Sequence, residues 1–126
     1  MVLAVGRHVL GEEAAGQGVR WAGGLAGGVG GSRQELCGAL SGGVLVIGGI
    51  CGRDQAEADL QRCRDGTARF RDLFLGEFGT TRCETLLDQV VHADGGLGSC
   101  SLLTEQAARL LMDVLAELDA GAPTQA

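Results

Sequence analysis

The chemistry available to this chain of 126 residues lies mainly in its five cysteines. Three of them stand close to the predicted start of a helix: Cys37, Cys83 and Cys100. Unpaired N–H groups and the helix dipole favour an anion at that position, so we expect these three thiols to have lowered pKa values. Because a thiolate is both a nucleophile and a ligand for soft metals, we predict them as catalytic, cofactor-binding or metal-binding residues.

The two remaining cysteines are predicted to fill the core. Cys51 falls near the end of a predicted helix, where a thiolate is disfavoured, and Cys63 lies on the apolar stripe of the next helix. There is no C-x-x-C pair, which excludes a thioredoxin-type motif and a zinc ribbon. Fourteen residues separate Cys37 from Cys51, about 21 Å along a straight helix, so any shared site must be assembled from distant segments.

Other candidate residues are weaker. His8 and His92 are isolated, and a lone histidine is more often structural or solvent-facing than a ligand. The glycine-dense segment 23–31 lacks the preceding strand and the Lys-Ser/Thr of a phosphate-binding loop. We interpret it as a close-packed, flexible turn.

Charge and composition exclude several classes of function. The net charge is −6 and lysine is absent, which argues against a nucleic-acid groove and against an anionic membrane surface. The uncharged segment 36–52 is shorter than the roughly twenty apolar residues of a membrane span, so we predict a buried helix and no stable membrane insertion. The N-terminus shows no export signal, and we expect a cytoplasmic protein in which cysteines are seldom structural disulfides.

The periodicity of apolar residues predicts helices and no strands. Capping boxes at Ser32 and Thr81 predict helix starts, the first helix running to about Ile50. A further helix is predicted from about Gln55 to Phe78, ending at Gly79. The last helix is predicted to begin with Ser99 or Ser101 as its cap.

We therefore predict an all-α, single-domain bundle of about five or six helices over residues 1–121, with a loose tail at 122–126. Its central helix carries a glycine stripe at positions 38, 42 and 49, which allows close approach of another backbone. The stripe suits a contact within the chain and a homodimer contact equally well.

The order of these features resembles the C-GCAxxG-C-C family of redox-active proteins. The resemblance rests on the glycine run 23–31, the segment Cys37-Gly-Ala-Leu-Ser-Gly42, the Phe-Gly and Cys83 segment with its Leu-Leu, and Cys100 before an amphipathic helix. It covers about residues 1–118 and implies that Cys37, Cys83 and Cys100 are the family's second, third and fourth cysteines.

The family's first cysteine has no counterpart in this sequence. In the family it stands just ahead of a Val-Leu helix, and here Val2-Leu3 opens the chain. We expect that cysteine to be encoded a few residues upstream of Met1. If it is missing altogether, the site has three family cysteines, and Cys51 and Cys63 are the candidates to substitute for the first.

The resemblance implies redox activity and electron transfer, with an unidentified redox partner that could be associated with a transporter. Its cysteines would form a reversible disulfide or hold an iron–sulfur cluster. Two other functions stay open at this point. One is a module that binds or delivers zinc or copper(I) through the same thiolates, and the other is an interaction protein whose cysteines only fill space.

Overall fold

The computed structural model describes residues 1–120, which form six helices and contain no strand. The prediction of an all-α bundle is therefore confirmed, and the predicted tail at 122–126 lies outside the described residues. The helices are α1 (π-helical Val2–Gly6 continuing as Arg7–Leu10), α2 (Glu12–Trp21, followed by the 3-10 turn Ala22–Gly24), α3 (Gly38–Cys51), α4 (Gln61–Phe78), α5 (Cys83–Leu86 continuing as π-helical Leu87–Val91) and α6 (Cys100–Ala120).

The core forms around α3, which packs against α1, α4 and α6. Ile47 of α3 is fully buried, as are Phe70 and Phe74 of α4, whose rings meet edge to face with their centres 6.3 Å apart. Leu111 of α6 closes this core from the other side. Three phenylalanine rings and aliphatic side chains are enough to fill this core, because the helices approach one another closely.

Glycines on α3 make that approach possible. A Cβ on Gly43 would overlap the ring of Phe70, and one on Gly49 would lie 2.7 Å from Leu10. A Cβ on Gly42 would lie 3.1 Å from the Cβ of Met1. The predicted glycine stripe therefore makes contacts within the chain: Gly42 and Gly49 face Met1 and α1, and Gly38 faces residues 25–26.

Two predicted helix starts are wrong. Helix α3 begins at Gly38 rather than at Ser32, because the Ser32 hydroxyl donates to the carbonyl of Gly28 and residues 33–37 pair with another segment. Helix α4 begins at Gln61 rather than near Gln55, and the carboxylate of Asp59 accepts a hydrogen bond from the Gln61 N–H at 2.9 Å.

Two other predicted helix boundaries are confirmed, the end of α4 and the start of α6. Gly79 follows α4 in the left-handed conformation, with φ of 79°. The hydroxyl of Ser99 accepts a hydrogen bond from the Leu102 N–H at the start of α6. None of the helices within residues 1–120 is long and apolar enough to cross a membrane.

Substitution of two glycines on α3 tests this packing. We expect Gly43→Ala to lower the free energy of unfolding by about 1–3 kcal/mol, because the added methyl group displaces the buried ring of Phe70. Gly48→Ala is the matched control, since a Cβ there meets nothing and alanine favours the helix by about 0.5–1 kcal/mol. Urea unfolding measures both, and equal effects would contradict the packing described here.

Candidate functional site

The glycine-rich segment before α3 forms a left-handed coil. Residues 27–31 all have positive φ, between 62° and 71°, and four of the five are glycines. Any other residue in this conformation costs about 1–2 kcal/mol, and Val29 bears that cost here. The Gly30 N–H donates to Gly24 and the Arg33 N–H donates to Gly27, each at 2.8 Å. The segment is close-packed, and the predicted turn is a hydrogen-bonded left-handed coil.

The coil leads into a short antiparallel pairing that joins two distant parts of the chain. Leu36 and Arg82 form the central pair. The Cys37 N–H donates to the Thr81 carbonyl, and the Cys83 N–H donates to the Glu35 carbonyl, both at 2.9 Å. We call this pairing of residues 33–37 with 81–84 the cysteine ladder.

The cysteine ladder places two predicted site residues on one face. Directly opposite residues of an antiparallel pair share a face, so Cys37 lies beside Thr81, and Cys83 lies beside Glu35. Cys37 and Cys83 are therefore diagonal neighbours, and such positions lie about 7–8 Å apart. Backbone hydrogen bonds thus bring together two cysteines that are 46 positions apart in the sequence.

Polar side chains cover the outer side of the ladder. The Arg82 guanidinium donates to the Gln34 carbonyl at 3.2 Å, to the Gln34 side-chain oxygen and to the Glu84 carboxylate at 2.9 Å. These groups are solvent-exposed, and an exposed ion pair contributes only about 0–1 kcal/mol. The backbone bonds therefore do most to fix the positions of the two cysteines.

The left-handed coil packs directly against the ladder. A Cβ on Gly28 would lie 2.7 Å from the Cβ of Cys83 and 2.9 Å from the Cα of Arg33. Glycine is required at this position for two reasons: a side chain would collide with these atoms, and the backbone has a positive φ of 68°. The coil therefore serves as a support against which Cys83 is held.

All three predicted site cysteines line one cavity of about 600 Å³. Cys37 is half-buried at the N-cap of α3, Cys83 is 9% exposed at the first position of α5, and Cys100 is exposed at the first position of α6. The remainder of the wall is mostly apolar and comes from α1, α2, the coil, α3, α5 and α6, including Val2, Leu25, Ala39, Leu86 and Leu103.

The other candidate residues lie elsewhere. Cys51 ends α3, and the unbroken helix separates it from Cys37 by about 21 Å. His8 and His92 are exposed, and neither belongs to the described cavity wall. The structure thus brings together Cys37, Cys83 and Cys100 and leaves the other candidates outside.

Burial dominates the ionisation of Cys37. Removal from water raises the pKa of the Cys37 thiol, and the neighbouring Cys83 and Cys100 thiols raise it further. The backbone amides of Ala39 and Leu40 act in the opposite direction, because an N–H beside sulfur favours the thiolate. The predicted lowering of the Cys37 pKa is therefore wrong, because burial outweighs the helix-start effect.

A residue that sequence reasoning missed is Arg33. Its side chain is the charged one in the cavity wall formed by the described residues, and its backbone has a positive φ of 64°. Strained backbone of this kind concentrates at functional sites. The signal in the sequence was the position of Arg33, two residues after the coil and four before Cys37. The helical interpretation of 32–35 concealed it.

The thiols have the right chemistry for an iron–sulfur cluster or a soft metal ion. Their arrangement does not match a ligand set, however. Within residues 1–120 no group of three or more His, Cys, Asp or Glu side chains is gathered as metal binding requires. The three thiols beside one cavity are able to take part in thiol–disulfide exchange.

The fold and site define a helical domain in which cysteines at three helix starts share an apolar cavity. The chain belongs to the family C_GCAxxG_C_C, described as "Putative redox-active protein", which matches residues 1–114. No curated protein and no solved structure matches the chain.

A glycine substitution in the coil tests how Cys83 is positioned. We expect Gly28→Ala to destabilise the fold by at least about 1 kcal/mol more than Gly30→Ala, because only the first methyl group would collide with Cys83. Both variants bear the cost of a positive φ, so Gly30→Ala is the matched control. Thermal and urea unfolding measure the difference, and equal losses would show that the coil does not support Cys83.

The raised pKa of Cys37 predicts how the reactivity of its thiol changes with pH. Its raised pKa means that the folded protein holds the thiol proton more tightly than the unfolded chain does. The resulting contribution to the free energy of unfolding is fully present below the ordinary thiol pKa of 9.0 and is lost as pH rises through the raised pKa. We expect alkylation of Cys37 by iodoacetamide to keep accelerating above pH 9. Peptide mapping in a Cys51→Ser background follows this residue alone, and a rate that levels off below pH 8 would refute the expectation.

Proposed function

We propose that this protein is a thiol–disulfide electron-transfer protein in which Cys37 and Cys83 form a reversible disulfide. The observation that carries the proposal is the cysteine ladder, which holds both residues on one face beside a shared cavity. Membership of a family described as redox-active supports the same chemistry. The Cα atoms of a disulfide are most often about 5.5–6 Å apart, so the two segments have to close by about 1–2.5 Å.

Cys37 is the central thiol of the three. Both Cys83 and Cys100 affect its ionisation, so both sulfur atoms lie near it. Cys100 is the exposed member, and it is the thiol that a partner reaches first. Cys83 is buried, so a partner reaches it less readily than it reaches Cys100.

This arrangement suggests an order of exchange with a disulfide-bearing partner. The Cys100 thiolate attacks one partner sulfur, breaks the partner's S–S bond and releases one sulfur of the partner as a thiolate. Cys37 then attacks the Cys100 sulfur and releases the second partner sulfur. Cys83 attacks the Cys37 sulfur and frees Cys100. In total the protein loses two electrons and two protons, and the partner disulfide becomes two thiols.

The cavity wall favours a partner with an apolar group beside its disulfide. The described lining consists mostly of aliphatic side chains and glycine, and Arg33 supplies a positive charge at one side. A partner that carries a carboxylate near an apolar group would therefore match both features. The cavity is large enough for a peptide side chain or for a small thiol compound.

Disulfide mapping tests the proposed pair. In a Cys51→Ser, Cys63→Ser background, we expect glutathione disulfide to lower the number of free thiols from three to one. Trypsin cleaves after Arg33, Arg53, Arg82 and Arg109, so a Cys37–Cys83 bond links peptide 34–53 to peptide 83–109. Fragmentation of the linked peptide distinguishes Cys83 from Cys100.

Single substitutions in the same background supply the controls. Cys100→Ser should still allow the link to form, more slowly, whereas Cys37→Ser should abolish it. A bond between Cys83 and Cys100, or glutathione on each separate cysteine, would contradict the proposed pair. Circular dichroism of each variant shows whether the helices are retained.

A further inference from the structure

Two cysteines outside the cavity also lie next to each other. Cys51 is the last residue of α3, and Cys63 is the third residue of α4. Both are partly exposed, and both pack against the edge of the same core. Neither lines the cavity described above.

The packing of α3 on α4 places these two residues opposite each other. The helices pack together and are joined by residues 52–60, as expected of antiparallel neighbours. Gly43 faces Phe70 across this interface. Cys51 is eight residues further along α3, about 12 Å, and Cys63 is seven residues back along α4, about 10 Å. The two cysteines therefore meet at the same level of the helix pair.

The ionisation of Cys51 agrees with this placement. Burial raises its pKa to about 11, and the adjacent Cys63 thiol adds to the rise. The Cys51 sulfur lies 3.2 Å from the Ile47 carbonyl, to which its S–H donates. Cys51 is therefore held as a neutral thiol beside Cys63.

Arg62 adds a positive charge to this pair. Its charge opposes the rise in the Cys51 pKa, so the guanidinium lies near the thiols. One terminal nitrogen donates to the Leu118 carbonyl at 3.4 Å, and Nε is buried without a hydrogen-bond partner in the described part of the chain. A thiolate in this position would gain a nearby cation.

We propose that Cys51 and Cys63 are a second, separate dithiol that low-molecular-weight disulfides oxidise to a bond joining α3 to α4. Cys63, in the first turn of α4, attacks the small disulfide and releases one small thiol. Cys51 then attacks the Cys63 sulfur and releases the second. Two protons and two electrons leave the protein, and one small disulfide becomes two thiols.

Such a bond would constrain the exposed connection between the two helices. Residues 53–59 are all exposed, and a disulfide from Cys51 to Cys63 closes this connection into a short loop. Closing a loop in this way restricts the unfolded chain and raises the melting temperature. Oxidation would therefore stabilise α3 and α4 without occupying the cavity cysteines.

The test isolates the pair by removing the three cavity cysteines. In a Cys37→Ser, Cys83→Ser, Cys100→Ser variant, we expect glutathione disulfide to consume both remaining thiols without leaving glutathione attached. Trypsin should then release peptide 34–53 linked to peptide 63–64. The oxidised variant should melt at a higher temperature than the reduced one.

A Cys63→Ser change in the same variant is the matched control, in which no link can form. Two cysteines that stay free, or that each carry glutathione, would overturn the proposal. If circular dichroism shows that the triple variant is unfolded, the unaltered chain is oxidised, and fragmentation of peptide 34–53 distinguishes Cys51 from Cys37. Because the variant lacks the cavity cysteines, its result is independent of the Cys37–Cys83 pair.

Discussion

The structure depends above all on the cysteine ladder, the backbone pairing of residues 33–37 with 81–84. Without those hydrogen bonds, the starts of α3 and α5 would have no fixed relation, and Cys37 and Cys83 would not share a face. The left-handed coil makes the pairing possible, because its glycines bring the chain against Cys83 in a conformation that other residues adopt only at a cost. Glycine is therefore used here to position sulfur atoms.

Burial and helix-start electrostatics compete at this site. The amides at the start of α3 favour a Cys37 thiolate, but the apolar surroundings and the two nearby thiols oppose it more strongly. A buried thiol that keeps its proton reacts poorly with solvent reagents and is reached through a neighbouring thiol. In the proposed exchange the exposed Cys100 provides such a route, and the three cysteines differ in accessibility.

The apolar periodicity of the sequence predicted the helical class, and the helix-start signals placed Cys37, Cys83 and Cys100 near helix starts. Their convergence on one site was implied by the resemblance to the family. The prediction from sequence failed at 32–35, where a capping-box pattern concealed one side of the cysteine ladder. The pairing depends on a partner 46 positions away, which a local pattern cannot indicate. The prediction also missed the opposition of Cys51 and Cys63, which follows from helix packing alone. The predicted direction of the Cys37 pKa shift was wrong for the same reason, because burial depends on how the whole chain folds.

The central claim of the proposed function is that the three cavity cysteines act as thiols and not as ligands. The most direct measurement is the content of iron, zinc, copper and acid-labile sulfide, with a visible spectrum and a thiol count, on protein purified without oxygen. We expect five titratable thiols in each reduced chain, with metal and sulfide far below one per chain. Stoichiometric iron and sulfide with visible absorption, or one tightly bound metal ion that masks three thiols, would contradict the claim.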